Sequence, residues 1–232
     1  MNKSKYLMKN MGILTISNFS SKILVFLLVP LYTSVLSTTE YGSYDLAVSI
    51  ATLLYPILTL NIVDAVMRFS MDQTYDKKYI AYIGMKFVFL SIVIFGIGMY
   101  MLNITGLWSN INGLELFVFF YYISYVFNQF LIQFAKGLEK VIDMGVAGVV
   151  STVVTIASNV LFLLVFKWGL IGFFFANILT QLMSCLYLAV RIKVWKYIDF
   201  KCSNKQLQKE MLLYSIPLIV TTVGWWVNST AD

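Results

Sequence analysis

The chain has 232 residues, of which 59% are hydrophobic and 12% charged, with a mean hydropathy of +0.80 and a net charge of +6. About a quarter of a soluble domain is charged, so this composition leaves too little material for a water-facing surface and excludes a soluble enzyme. The basic balance comes without the aromatic–basic motifs of an RNA binder, the chain has no His, and its two cysteines, Cys185 and Cys202, have no metal-like spacing; neither a nucleic-acid partner nor a cofactor is expected.

Apolar runs fall at 11–35, 44–69, 80–102, 114–134, 144–166, 170–190 and 211–229. Each approaches or exceeds the roughly 20 residues that cross a bilayer core, where only a helix satisfies its own backbone. The sequence therefore predicts an all-α, polytopic membrane helix bundle of about seven transmembrane helices. The first run follows Lys3, Lys5 and Lys9 as a signal peptide would, but it lacks a short apolar core and a cleavage site and reads as a retained span. Ser37-Thr38-Thr39-Glu40 fits a capping box that restarts helix at once, and Pro56 predicts a kink inside the second span.

Basic residues set the orientation. The tail carries Lys3, Lys5 and Lys9, and the second loop Arg68 at its edge, Lys77 and Lys78. The fourth loop has Lys136 and Lys140; the sixth has Arg191, Lys193, Lys196, Lys201, Lys205 and Lys209. The first and third loops have none and the fifth only Lys167, so the N-terminus and the even-numbered loops are assigned to the cytoplasm, against the anionic inner leaflet. Trp108, Trp168 and Trp195 fall at span ends, as interfacial anchors do. The sixth loop is the longest connection. It predicts a six-helix lobe over 1–190, a basic cytoplasmic linker over 191–210, and a last helix over 211–232 that opens a second, truncated lobe.

Several spans carry polar residues three or four apart, on one helical face. Thr15, Asn18 and Lys22 mark the first; Asn61, Asp64 and Arg68 the second; Tyr79, Tyr82 and Lys86 the third; Tyr122, Tyr125, Gln129 and Gln133 the fourth; Thr152, Thr155 and Asn159 the fifth; Asn177, Gln181 and Ser184 the sixth. Neutral polar groups can simply bond helix to helix, at roughly 1 kcal/mol each. A cation at mid-membrane costs about 2.5–3.5 kcal/mol, so Lys22, Arg68 and Lys86 point either to snorkelling or to a water-filled cavity able to hold an anionic headgroup, diphosphate suiting Arg and Lys together. Asp64, one turn from Arg68, reads as its charge partner or as a coupling carboxylate. Asn18 and Asn61 complete the candidate substrate-binding set of Lys22, Arg68, Lys86, Asn18 and Asn61.

Ser21-Lys22, the run Phe26-Leu27-Leu28-Val29-Pro30-Leu31-Tyr32, then Leu36-Ser37-Thr38-Thr39-Glu40-Tyr41-Gly42 with Asp45-Leu46, and Asp64-Ala65-Val66-Met67-Arg68-Phe69 with Asp72 resemble the N-terminal region of oligosaccharide flippases. Lys136-Gly137 with Lys140, Asn159, Gly169 with Gly172, Tyr214-Ser215-Ile216-Pro217-Leu218 and Trp225-Trp226-Val227-Asn228-Ser229 extend the resemblance along the whole chain. These flippases form the polysaccharide-exporter branch of a superfamily that also holds multidrug extruders. The resemblance implies two lobes rocking about a central cavity, with undecaprenyl-diphosphate-linked oligosaccharide moved outward across the bacterial plasma membrane, among membrane lipids and other polysaccharide assembly proteins. It implies contact with the lipid diphosphate for Lys22 and Arg68, whereas Lys86 rests on depth and spacing. One lobe and the first span of the next are expected here.

Two alternatives remain: a cation-coupled multidrug extruder using Asp64, and a non-transporting membrane fragment that assembles with partners. A membrane glycosyltransferase would need a loop with paired carboxylates or a His base, and the outer loops hold only Glu40, Glu115 and Lys167.

Overall fold

A computed structural model describes residues 28–105, 113–199 and 204–230, and its regular elements there are all helical. In chain order they are α1 (Val29–Val35), α2 (Thr38–Leu58), α3 (Ile62–Met71), α4 (Lys77–Ile104), α5 (Glu115–Gly137), α6 (Val141–Asn159, running on into a π-helical end Val160–Val165), α7 (Gly169–Ile192) and α8 (Lys205–Thr230). Among the described residues five helices, α4 to α8, are each long and apolar enough to span a membrane, and α2 with α3, bent by 58°, passes the same test as a pair, which is read here as a broken sixth span. Most of the expected first span lies outside the described residues, with α1 as its described end.

The capping box forms as the sequence predicts. The Ser37 hydroxyl accepts the Glu40 N–H at 3.2 Å while the Ser37 N–H donates to Glu40 Oε2 at 2.9 Å, closing the turn that starts α2. The kink differs from its expected place. Pro56 sits within α2, and the 58° bend comes after it, between Leu58 and Ile62. There the Asn61 N–H donates to the Pro56 carbonyl at 2.8 Å and the Leu60 N–H to the Ile57 carbonyl at 3.2 Å. This is a Schellman closure, which needs a left-handed residue just past the helix. Leu60 takes that conformation at φ +51°, where an L side chain costs about 1–2 kcal/mol. Asn61 follows at φ +50°, a conformation asparagine tolerates, and re-aims the chain into α3.

The short helix α3 is the keystone. Ile62, Val63, Ala65 and Val66 are fully buried among α4, α5 and α8. Two glycines let it in: a Cβ on Gly84 of α4 would lie 2.5 Å from Val66 Cγ2, and one on Gly137 of α5 would lie 2.4 Å from Ser70 Cβ and 2.9 Å from the Met67 carbonyl oxygen. Small residues at helix crossings permit this approach in a membrane, where dispersion and hydrogen bonds replace the hydrophobic drive. On the other flank α5, α6 and α7 pack together, joined by Asn128–Gln181 and Thr155–Thr180 hydrogen bonds, and Arg191 at the end of α7 pairs with Asp143 at the start of α6 at 2.8 Å.

The helix α8 begins at Lys205, so residues 205–210 of the expected linker are its first turns. Leu207, Met211 and Ser215, spaced by four, are buried against the bundle.

Candidate functional site

The polar residues of the broken span meet α5 and α8. Asn61, 1% exposed, donates from Nδ2 to Asp64 Oδ2 at 2.9 Å and to Thr222 Oγ1 at 3.3 Å. Gln133 Nε2 donates to the other carboxylate oxygen, Asp64 Oδ1, at 2.7 Å. Both oxygens of Asp64 are thus served by neutral amides, and both amide hydrogens of Asn61 are used. Further out, the Trp226 indole N–H donates to Thr52 Oγ1 at 3.2 Å, a second bond between α8 and the broken span.

This corrects one reading of Asp64. The ion pair with Arg68 does not form, although the two residues are one helical turn apart. The amides of Asn61 and Gln133 hold the carboxylate on the packed side of α3, while Arg68 is exposed at the end that the basic loops assign to the cytoplasm.

Arg68 instead lines a cleft of about 250 Å³ with Phe69, Asp72, Tyr75 and Tyr214. The loop from α3 to α4 builds its floor. The Asp72 carboxyl is held below the usual carboxylate range, first by hydrogen bonds from Thr74, whose N–H donates to Oδ1 at 2.9 Å, and further by the charges of Arg68 and Lys77. The ammonium of Lys77 donates to the Asp72 and Tyr75 carbonyls. The Tyr75 hydroxyl donates to Glu210 Oε2 of α8 at 3.0 Å, which pushes the phenol pKa up. The cleft therefore offers one exposed guanidinium beside an anionic Asp72, walled by three aromatic rings.

Lys86 does not share this cleft. It is exposed, and its ammonium donates to Gln208 Oε1 at 3.0 Å. Gln208 and Tyr214 are six residues apart, about 120° around a helix, so Arg68 and Lys86 meet different flanks of α8. Lys22 and Asn18 lie outside the described residues. Of the six residues singled out from sequence, the structure brings Asn61 and Asp64 together and leaves Arg68 and Lys86 apart. Gln133 belonged to a polar stripe visible in the sequence, whereas Thr222 and Thr52 carried no signal, since single threonines are common in membrane helices.

The model of the family described as polysaccharide biosynthesis protein matches residues 7–232. The chain belongs to this family. The family assignment rests on sequence. A point mutant of a MATE protein superposes with a TM-score of 0.61 at 16% identity, covering 93% of this chain and 53% of the other. MATE in its bent conformation gives 0.59 at 16% identity, covering 92% and 50%. At such identity the likeness is one of fold, and this polysaccharide biosynthesis protein spans about half the length of those two structures. No curated protein matches the sequence.

Proposed function

We propose that the protein forms the N-terminal lobe of an exporter that moves lipid-diphosphate-linked oligosaccharide outward across the bacterial plasma membrane for cell-surface polysaccharide assembly. The family supports the polysaccharide setting, and the helical bundle supports a membrane transporter. The observation that carries the substrate class is Arg68. Its guanidinium is free of Asp64 and open in a cleft at the cytoplasmic end of α3, where a planar fork suits a diphosphate. Lys22 and Asn18 of the first span join it. Lys86 and Asn61, further candidate contacts, are tied here to Gln208 and Thr222 of α8.

Export measured in cells carrying the protein at its full encoded length tests this reading. Arg68→Ala and Lys22→Ala should each abolish export at near-normal membrane levels of the protein, and Arg68→Lys should retain part of it, because charge survives while the bidentate geometry is lost. Normal export in Arg68→Ala would remove the diphosphate role.

One observation favours a second reading, a cation-coupled extruder. Asp64 lies within the bent α2–α3 pair with amide partners and, among the described residues, no cationic one. On that reading Asp64→Asn would abolish transport of lipophilic cations, and the polysaccharide would be unaffected.

A further inference from the structure

At the opposite end of the broken span, the face of α1 and the first two turns of α2 enclose a cleft of about 300 Å³. Its lining is largely apolar, with Val29, Tyr32 and Leu36 on the α1 side beside Thr33 and Ser37, and its polar groups on α2 are Thr38, Tyr41 and Asp45, next to Gly42. The basic-loop orientation puts it at the outer side of the membrane. Asp45 is the charged member: it lies on the second turn of α2, near the start of the span, and it is exposed. Among the described residues its carboxylate has no hydrogen-bond or ionic partner. Near the start of the span this carboxylate is open to water or to a ligand.

The lining selects the ligand. Thr38 and Tyr41 make no side-chain hydrogen bond among the described residues, while the Thr33 and Ser37 hydroxyls donate to the Pro30 carbonyl and to Glu40 and keep lone pairs free to accept. Tyr41 is 44% exposed, its ring stacked on Phe173 at 6.2 Å on one side and presenting an apolar face with a polar tip on the other. One carboxylate with several hydroxyls and an open ring fits a polyhydroxylated ring, whose adjacent hydroxyls donate to the carboxylate and whose C–H face lies on the aromatic. A phosphate is disfavoured by the negative charge of Asp45. A divalent cation needs six or more oxygen ligands, typically with several carboxylates, and no cluster of three acidic, His or Cys side chains occurs among the described residues.

We infer that this cleft between α1 and α2 is a carbohydrate subsite that takes a sugar ring of the lipid-linked glycan on the outer side, with Asp45 and Tyr41 as its contacts. The inference rests on the function proposed above and adds to it a division of labour: cationic chemistry for the diphosphate at one end of the α2–α3 limb, and hydroxyl–carboxylate chemistry for sugar at the other.

Gly42 gives a test that removes no polar group. A Cβ there meets nothing within 4 Å, so a larger side chain fills the cleft without disturbing the helix. The protein at its full encoded length, in nanodiscs, is titrated with undecaprenyl diphosphate and with the same lipid bearing the host's complete glycan repeat unit. Gly42→Leu and Asp45→Asn should each weaken binding of the glycosylated lipid about tenfold or more, and leave the bare lipid unchanged. Unchanged binding of the glycosylated lipid in both variants would overturn the subsite alone, and so would equal weakening of both lipids. A wild-type protein that binds neither lipid would sink the proposed function, and the subsite with it. Repeating the titration with choline in place of sodium separates the remaining rival: an Asp45→Asn effect that vanishes without sodium, beside an inert Gly42→Leu, would make the cleft a cation site and reject the sugar.

Discussion

Arg68 and Asp64 are one turn apart on α3, yet they meet different surroundings, and this separation gives the charge argument its content. If Arg68 served only to neutralise Asp64, removing both would restore what removing Arg68 lost. With Asp64 bonded to Asn61 and Gln133, the double change Asp64→Ala with Arg68→Ala should export no better than Arg68→Ala; recovery would reject the ligand role for Arg68. Asp72 offers an independent check. It is the anion that shares the cleft with Arg68, so a diphosphate docking there meets its repulsion. Asp72→Asn should tighten binding of undecaprenyl diphosphate by a few fold, about the size expected of an exposed, screened charge, and the gain should shrink as salt is raised. The direction of the Asp72 pKa sets the pH dependence. The shift is downward, so the carboxylate is ionised above its ordinary range and protonates only in acid below it. For the glycosylated lipid, whose diphosphate is a diester and keeps the same charge throughout, the advantage of Asp72→Asn should therefore be equal at pH 5 and pH 8 when binding is compared at each pH. A gain that disappears by pH 5 would mean that Asp72 titrates where its hydrogen bonds to Thr74 say it does not.

The short helix α3 depends on how closely α5 approaches it, and the glycines of the bundle differ sharply in what they hold. At Gly137 a Cβ runs into Ser70 Cβ at 2.4 Å and into the Met67 carbonyl oxygen, which is backbone and cannot swing aside. Gly148 on α6 has nothing within 4 Å. Gly137→Ala should destabilise the protein by about 1–3 kcal/mol through overpacking, whereas Gly148→Ala should be neutral or stabilising by up to about 1 kcal/mol through helix propensity. Thermal unfolding in detergent reads both, and equal midpoints would show that α3 and α5 do not pack this closely. Much of this element-scale plan was legible in the sequence. Run lengths gave the spans that fall among the described residues, Ser37 and Glu40 gave the start of α2, and the spacing of Asn61, Asp64 and Gln133 gave the polar faces. The break was misplaced because proline is the visible breaker, while the bend arises from two left-handed residues, Leu60 and Asn61, whose conformation is set by the Schellman closure and the packing of α3. Of the two readings that spacing leaves open for Asp64, the pair with Arg68 does not form for a related reason: spacing along one helix says which residues share a face, and the partner is chosen by neighbouring helices, here Gln133 of α5. Asp45 was visible only as part of a motif, because one carboxylate near a span end carries no signal until α1 is seen beside it.

At the scale of the whole molecule, α8 is bound to the bundle along its length yet open on the rest of its circumference. Lys86 holds Gln208, Tyr75 holds Glu210, Asn61 holds Thr222 and Thr52 holds Trp226, so the helix is fastened to α2, α3, α4 and the loop before α4 at successive heights. Away from this seam its surface divides in two. Leu213, Ile216, Val220 and Val227 form an exposed apolar face suited to lipid or to another helix. Tyr214, Thr221 and Asn228, spaced by seven, with Trp225 beside them, form a more polar strip that continues from the Arg68 cleft toward the outer side. A strip carrying hydroxyls and an amide at membrane depth is poorly matched to lipid and well matched to one wall of a polar cavity. In two-lobed transporters of inverted or repeated design such a cavity closes only when a second bundle rocks against the first. The two MATE structures compared above are about twice as long as this chain, with room for that second bundle. Residues 1–232 expressed alone in a flippase-deficient host should therefore reach the membrane and leave polysaccharide export unrestored, because substrate bound along Arg68 and α8 would face lipid where the second wall belongs. Immunodetection of the fragment in the membrane fraction separates this outcome from failure to insert. Export restored by the fragment with no other half supplied would show that this lobe completes its own cavity, by pairing with a second copy across the polar strip of α8.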